Sequence, residues 1–479
     1  MIRPATLVAG LACLSLSLSA CAAVRRPDAP LPVAFEASQA GGVEVAVLDR
    51  WWTQFQDPVL TDLIDQALVT APDARSAAAR LTEARATSSN ALIAFLPQGA
   101  ATGSTRETHT TQTSGTVINI PGFSNSGEST ASSASFNVSW EMDLFGRIFA
   151  VAKAARGDTN AAEASYQGAR ASLAANIADT YFLAQGQAIQ LEDARETARI
   201  QGTLQRVATT KADRGLGSSA DADRVAGDLA QAQGQAAGLE AELKATRRTL
   251  LVLAGRGTDP LASLPTPTSL SAVPLVPDTV PGELLARRPD VLQAEAGLRS
   301  AAGRLTYARL AFFPTFTLTP GVGLSRSEQP GFESASRNWS IGAGLTQPIL
   351  AVPRLMQDLK VQGARSEQAV IAYEKAVQTA YGEADSALTR LEADRRRVAL
   401  LTDGEHRAAR AFEASRIRYG AGLEDLQSAL GAEQSWRSTR SALTSAQVQA
   451  LRRTVQTYKA LGGGWPAPKT QTNQEARQP

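Results

Sequence analysis

Apolar residues recur at steps of three and four from Ile148 through Val151, Ala155, Ala162, Tyr166, Ala169, Leu173, Ile177, Tyr181, Ala184, Ala188 and Leu191 to Ala198. That spacing keeps one helix face apolar and lies close to a heptad repeat. Neither Gly146 to Asp259 nor Arg354 to Trp465 contains a proline, although the chain holds 23. Proline inside a helix removes a hydrogen bond and clashes with the preceding turn, so the two exclusions predict very long helical hairpins over 146–254 and 354–462. Nothing interrupts the helix between Arg147 and Asp213, which at ~1.5 Å per residue is a rod of about 100 Å. Its stripe is mostly alanine, which lets neighbouring helices approach closely.

A second period appears between the helical segments. Ala134, Phe136, Val138, Trp140 and Met142 alternate with Ser135, Asn137, Ser139, Glu141 and Asp143, and Phe316 to Leu324 and Trp339 to Thr346 alternate in the same way. Strands are therefore expected at about 98–110, 133–143, 314–325 and 338–347, with Thr110 to Ser132, rich in Ser, Thr, Gly and Asn, as a loop. Strands of about ten residues, apolar on one face and small-polar on the other, fit a transmembrane barrel. A soluble hairpin with one buried face has the same period. Four strands cannot close a barrel, and open edges in lipid leave backbone groups unpaired, so the barrel reading requires association of several chains.

The chain is internally duplicated. Pro72 and Pro97 are 25 residues apart, as are Pro289 and Pro314; Arg147 and Tyr166 are 19 apart, as are Arg354 and Tyr373. The copies are offset by 217 residues at Pro72 and by 207 at Arg147, Gly215 and Gly255, so the ten-residue difference falls between Pro97 and Arg147. Each copy reads helix, strand pair, very long helix, turn, long helix. The resulting division is 57–257 for the first repeat, 258–281 for a Pro-rich linker, 282–465 for the second repeat and 466–479 for a tail.

The totals narrow the chemistry. A net charge of +2 over 479 residues makes no electrostatic case for nucleic acid. Two Cys and two His leave little for a metal cage or disulfide framework, His109 and His406 read as structural, and no catalytic constellation or cofactor motif is present. Glu192 and Asp193 read as part of a solvated face. At the N-terminus, Arg3, the apolar run Leu7 to Leu18 and Leu18-Ser19-Ala20-Cys21 read as a signal peptide over 1–20 ending in a lipobox, with lipid on Cys21 and a tether over 21–56. A short transmembrane anchor is the alternative, but the run falls short of ~20 residues.

Trp140-Glu141-Met142-Asp143-Leu144-Phe145-Gly146-Arg147, Arg287-Arg288-Pro289-Asp290-Val291, Ala311-Phe312-Phe313-Pro314 and Gln347-Pro348-Ile349, in this order on a duplicated chain, resemble signatures of the outer membrane factor (TolC-like) family. The lipobox places the resemblance in its lipoprotein, NodT-type branch, which serves resistance-nodulation-division efflux pumps. The resemblance implies a mainly α chain with a transmembrane β-barrel: a homotrimer whose four strands per protomer build a twelve-stranded barrel in the outer membrane, continued by an α-helical tunnel into the periplasm. Trp140, Asp143, Gly146 and Arg147 would mark the strand-to-helix transition.

The hairpin turns are Gly215-Leu216-Gly217-Ser218-Ser219-Ala220-Asp221 and Arg418-Tyr419-Gly420-Ala421-Gly422-Leu423-Glu424-Asp425. Glycine supplies the turn, and Ser218, Asp221, Glu424 and Asp425 are able to cap the returning helices. By resemblance these tips form the periplasmic mouth, with Gly215, Ser218, Asp221, Arg418, Gly422, Glu424 and Asp425 as tip and gate residues. The family's second Asp on the returning helix is Gly431 here, which leaves the closing interactions open. The implied function is a passive exit duct for efflux, with a periplasmic adaptor and an inner-membrane transporter as partners and no cofactor. A duct for type I protein secretion and a poreless periplasmic coiled-coil lipoprotein are the rival readings.

Overall fold

A computed structural model describes residues 27, 28, 30–36, 45–111, 113, 114, 127–277, 281–329, 332–421 and 423–465. After a 3-10 segment, Val45–Phe55, come α1 (Pro58–Thr70), α2 (Pro72–Ile93), β1 (Gln98–Thr110), β2 (Gly127–Met142), α3 (Arg147–Asp213) and α4 (Ser219–Leu253). The second half follows with α5 (Pro281–Arg287), α6 (Pro289–Leu310), β3 (Thr315–Gln329), β4 (Phe332–Thr346), α7 (Val352–Gly420) and α8 (Leu426–Ala460). The long helices hold 67 and 69 residues and each returning helix holds 35, so the duplication extends to element lengths.

Two compact units divide the chain. The first comprises Thr82–Ala161 and Glu295–Ala372, with the segment that ends at Pro27; the second comprises Asp28–Leu81, Ala162–Ala294 and Tyr373–Pro479.

The first unit contains one antiparallel sheet in the order β1-β2-β3-β4. Phe136 pairs with Val322 and Val322 with Trp339, so the apolar positions of neighbouring strands share a face. That face is bare: Trp339 is 78% and Ile341 66% exposed. β2 starts at Gly127, inside the segment expected to be loop, and β4 starts at Phe332 rather than near 338. Both extensions carry small hydroxyl residues that bond across the strands, Thr105 with Ser132 at 3.0 Å and Ser325 with Ser336 at 2.7 Å. In the same unit α3 and α6 meet backbone to backbone. A Cβ on Gly157 would lie 2.6 Å from the amide nitrogen of Ser300, and one on Gly303 2.6 Å from that of Ala154. Beside this crossing Asp158 accepts from Ser300 Oγ and Arg304, each at 2.7 Å.

The second unit has the main hydrophobic core. Trp51 stacks on Tyr458 at 5.6 Å and meets Trp52 and Phe55 edge-on, and Phe55 packs on Phe182 at 4.8 Å. α1 enters this core from its cap, where Asp57 accepts from the Leu60 amide at 3.1 Å while its second oxygen accepts from Tyr181 at 2.7 Å. Leu173, Ile177, Tyr181 and Ala184 of the α3 stripe are at most 4% exposed. Ala169 is exposed and Ala164 is buried instead, because 3.6 residues per turn drift against a heptad. The three glycines after α8 do more than end it: Gly464 donates to Leu48 O at 2.8 Å, and a Cβ on Gly463 would sit 2.9 Å from the Trp51 ring. The linker contributes a 3-10 turn, Leu261–Ser263. Among the described residues no helix is long and apolar enough to cross a membrane.

Candidate functional site

Three places carry the residues singled out in the sequence, and each is explained first by local structure. At the strand-to-helix transition of the first unit, Gly146 adopts φ +84, a turn that a side chain would strain. Asp143 then closes the start of α3: its two oxygens accept from the amides of Arg147 at 2.8 Å and Ile148 at 2.7 Å. Arg147 reaches back to Glu141 at 3.2 Å and across to the Tyr307 hydroxyl at 3.1 Å, with its guanidinium 5.2 Å from that ring. Phe145 stacks on Phe313 at 4.9 Å. Trp140 stays on the sheet, paired with Leu318. Tyr307 is missed by sequence reasoning, because nothing in its own segment sets it apart. Asp143→Ala should destabilise the start of α3 by about 1 kcal/mol. Hydrogen exchange at the Arg147 and Ile148 amides is the direct readout; unchanged protection there would show that the cap is dispensable.

In the second unit, Arg287 and Arg288 are 7% and 6% exposed. Arg287 pairs with Asp49. Arg288 donates to Asp290 at 2.5 Å and 3.0 Å, to Glu383 at 2.7 Å and to Ala460 O at 3.1 Å. Burial opposes the charge on both partners, but their mutual bonds outweigh it, holding Asp290 below and Arg288 above their ordinary ranges. Burial pushes Tyr458 up to about 12. Asp193 departs from the solvated-face expectation. It pairs with Arg440 at 2.9 Å, and burial where α3 meets α8 raises its pKa.

The tips are the third place. At the first, Gly215 (φ +67) and Leu216 donate to Ala212 O at 2.9 Å and Lys211 O at 2.8 Å, closing α3. Ser218 caps α4 by accepting from the Ala220 amide at 3.1 Å, and Asp221 lies in the first turn, where its charge opposes the helix dipole favourably. At the second, Leu423 donates to Arg418 O at 2.9 Å. Asp425 caps α8, accepting from the Ser428 amide at 2.8 Å and hydroxyl at 3.1 Å, and that amide bond lowers its pKa. Glu424 does not cap. It faces Arg418 at 3.8 Å, too long for a hydrogen bond, and its Oε2 is buried without a hydrogen-bond partner. Leu216 and Leu423, 207 positions apart, are 75% and 73% exposed. Gly422 and Cys21 lie outside the described residues.

A four-stranded sheet with a bare apolar face, on a chain of paired long helices with capped tips, defines an outer-membrane channel protein of the TolC-like fold. The outer membrane efflux protein family model matches residues 63–256 and 280–463, and the chain belongs to that family. It is 30% identical to the cation efflux system protein CusC of Escherichia coli O6:H1 over 95% of this chain and 98% of CusC. It is 29% identical to the pyoverdine export outer membrane protein OpmQ of Pseudomonas putida, over 95% of this chain and 97% of OpmQ. The solved structure of the outer-membrane channel OprN matches with TM-score 0.78 at 26% identity, over 93% of this chain and all of that one. The open state of the Neisseria gonorrhoeae channel MtrE matches with TM-score 0.79 at 26% identity, over 93% of this chain and 99% of that one. The chain is thus an outer-membrane efflux channel component of a tripartite pump, placed in the outer membrane and extending into the periplasm.

Proposed function

We propose that three copies of this chain assemble into a passive duct that conducts small molecules outward without catalysis. The observation that carries this is the sheet: β1 and β4 pair on one side only among the described residues, and the shared face is apolar and exposed. An exposed sheet with two open edges is stable in lipid only when further strands pair with it, and joining β1 of one copy to β4 of the next leaves no edge. One relative is named for cation efflux and another for pyoverdine export, a simple ion against a larger organic molecule, which suits a wide duct whose transporter does the selecting.

The tips are the docking and gating elements in this reading. A periplasmic adaptor, linked to an inner-membrane resistance-nodulation-division transporter, engages them and shifts the equilibrium from closed to open. Ser218 and Asp425 hold the turns, Gly215 shapes the first of them, and Asp221, Arg418 and Glu424 supply the charge. The Arg418–Glu424 pair is loose enough to break on engagement. The lipid on Cys21 secures the chain to the membrane.

The test is single-channel recording in planar bilayers of protein purified in mild detergent, wild type against Glu424→Ala plus Asp425→Ala. Trimer-sized particles with a small cation-selective conductance, raised at least severalfold by the double substitution, are expected. A conductance indifferent to the substitution removes the gate from the second tip, and a monomeric particle without conductance overturns the duct.

A further inference from the structure

Within the first unit, a cavity of about 540 Å³ opens where the strands meet the helices, lined among others by Arg147, Arg304, Tyr307, Phe313, Arg354 and Asp358. We propose that it is a binding site for the phosphate of an anionic glycerophospholipid, seated by Arg354 and Arg147. The proposal uses the outer-membrane placement of the chain and is independent of the tips.

Three arginines converge there, and they are not equivalent. Arg304 is taken by Asp158 at 2.7 Å. Arg147 is anchored by Glu141 and Tyr307, yet its Nε is buried without a hydrogen-bond partner. Arg354 stands at the corresponding position of the second repeat, 207 residues on, but is exposed and makes no hydrogen bond or ion pair among the described residues. The duplication thus brings both copies of one arginine to one cavity and provides a carboxylate partner to only one of them. Asp358 is the carboxylate in the lining, and it is solvent-exposed. Guanidinium forks match tetrahedral oxyanions with paired, charge-assisted bonds, so a phosphate suits the unpaired Arg354.

The rim argues for a lipid. Between the lining residues Pro348 and Ala351 lie Ile349 and Leu350, 73% and 95% exposed, and Phe145, stacked on the lining Phe313, is flanked by Leu144 at 60%. Large apolar side chains left bare beside a cationic cavity fit a ligand with an anionic head and apolar tails. The cavity also lies at the ends of β3 and β4, lined by the paired Thr315 and Thr346, where an apolar sheet face gives way to charged helices. Headgroups occupy such a boundary.

The full chain, washed to low lipid in detergent, is titrated with short-chain phosphatidylglycerol and, separately, with inorganic phosphate, and bound ligand is counted by native mass spectrometry. We expect saturable phosphatidylglycerol binding that weakens about tenfold in Arg354→Gln, the loss of roughly one charge-assisted contact. Arg337→Gln, on β4, serves as a control and should bind as wild type. Inorganic phosphate binding as tightly as the lipid would overturn the lipid assignment. Equal retention of lipid by Arg354→Gln would overturn the site, and so would loss of oligomer in that variant with no change in lipid, which would give the arginine to a second copy. Conductance recorded on the same preparation separates these outcomes from failure of the duct itself.

Discussion

Gly303→Leu is expected to abolish the folded first unit, whereas Gly227→Ala should raise thermal stability. At Gly303 even a methyl group would come within 2.6 Å of Ala154 N, 2.9 Å of its Cα and 3.0 Å of Ala150 O, all backbone atoms that no side-chain rotation can clear. Adding atoms to a packed contact costs about 1–3 kcal/mol where neighbours can shift; here two helices must part, so a leucine exceeds that range. Gly157 imposes the same limit from the other helix, through Ser300. Gly227, on α4, has nothing within 4 Å of its would-be Cβ, and alanine there gains about 0.5–1 kcal/mol of helix propensity. Thermal melts followed by circular dichroism in detergent check both. A Gly303→Leu protein that extracts and melts like wild type would mean that the crossing is not a constraint.

The second large effect is expected at Arg288. Removing one partner of a buried charge pair typically costs about 3–5 kcal/mol. Asp290 and Glu383 are 46% and 55% exposed, so water takes up part of their charge and the loss from Arg288→Met should be nearer ~2 kcal/mol. The pH dependence has a definite sign. Asp290 titrates below its unfolded value of about 3.9, so its contribution is complete above that pH and disappears as the pH falls through the folded value. Wild type should therefore lose midpoint temperature below about pH 4, and Arg288→Met should be flatter across the same interval. Parallel curves for the two proteins would assign the acid sensitivity elsewhere.

The long hairpins are legible in the sequence because excluding proline over a hundred positions has one physical cause, and the Ile177–Tyr181–Ala184 stripe confirms the period. The start of β2 is not legible. Ser129, Thr130 and Ser132 look alike in a loop and in a strand whose hydroxyls bond across the ladder, and only the partner strand decides. Caps are local, so Ser218 and Asp425 could be named from their spacing to the next amides. Asp143 reads as part of a signature, but its job, accepting two amides at once, depends on the turn at Gly146. Tyr307, Ser300 and Glu383 carry no signal in their own segments: each meets its partner about 100 residues or more away, through topology alone.

The contact between Gly463 and Trp51 joins positions 412 apart in the chain. A chain that emerges from its N-terminus presents Trp51, Trp52 and Phe55 early, with Tyr458 and the glycine wrap arriving last. Closing so long a loop is slow, and apolar surface stays bare meanwhile. The second unit is thus unable to complete its core until nearly all of the chain is available, and throughout that interval its apolar surface is open to aggregation. Biogenesis, rather than conduction, is where substitutions in the glycine run should first be felt.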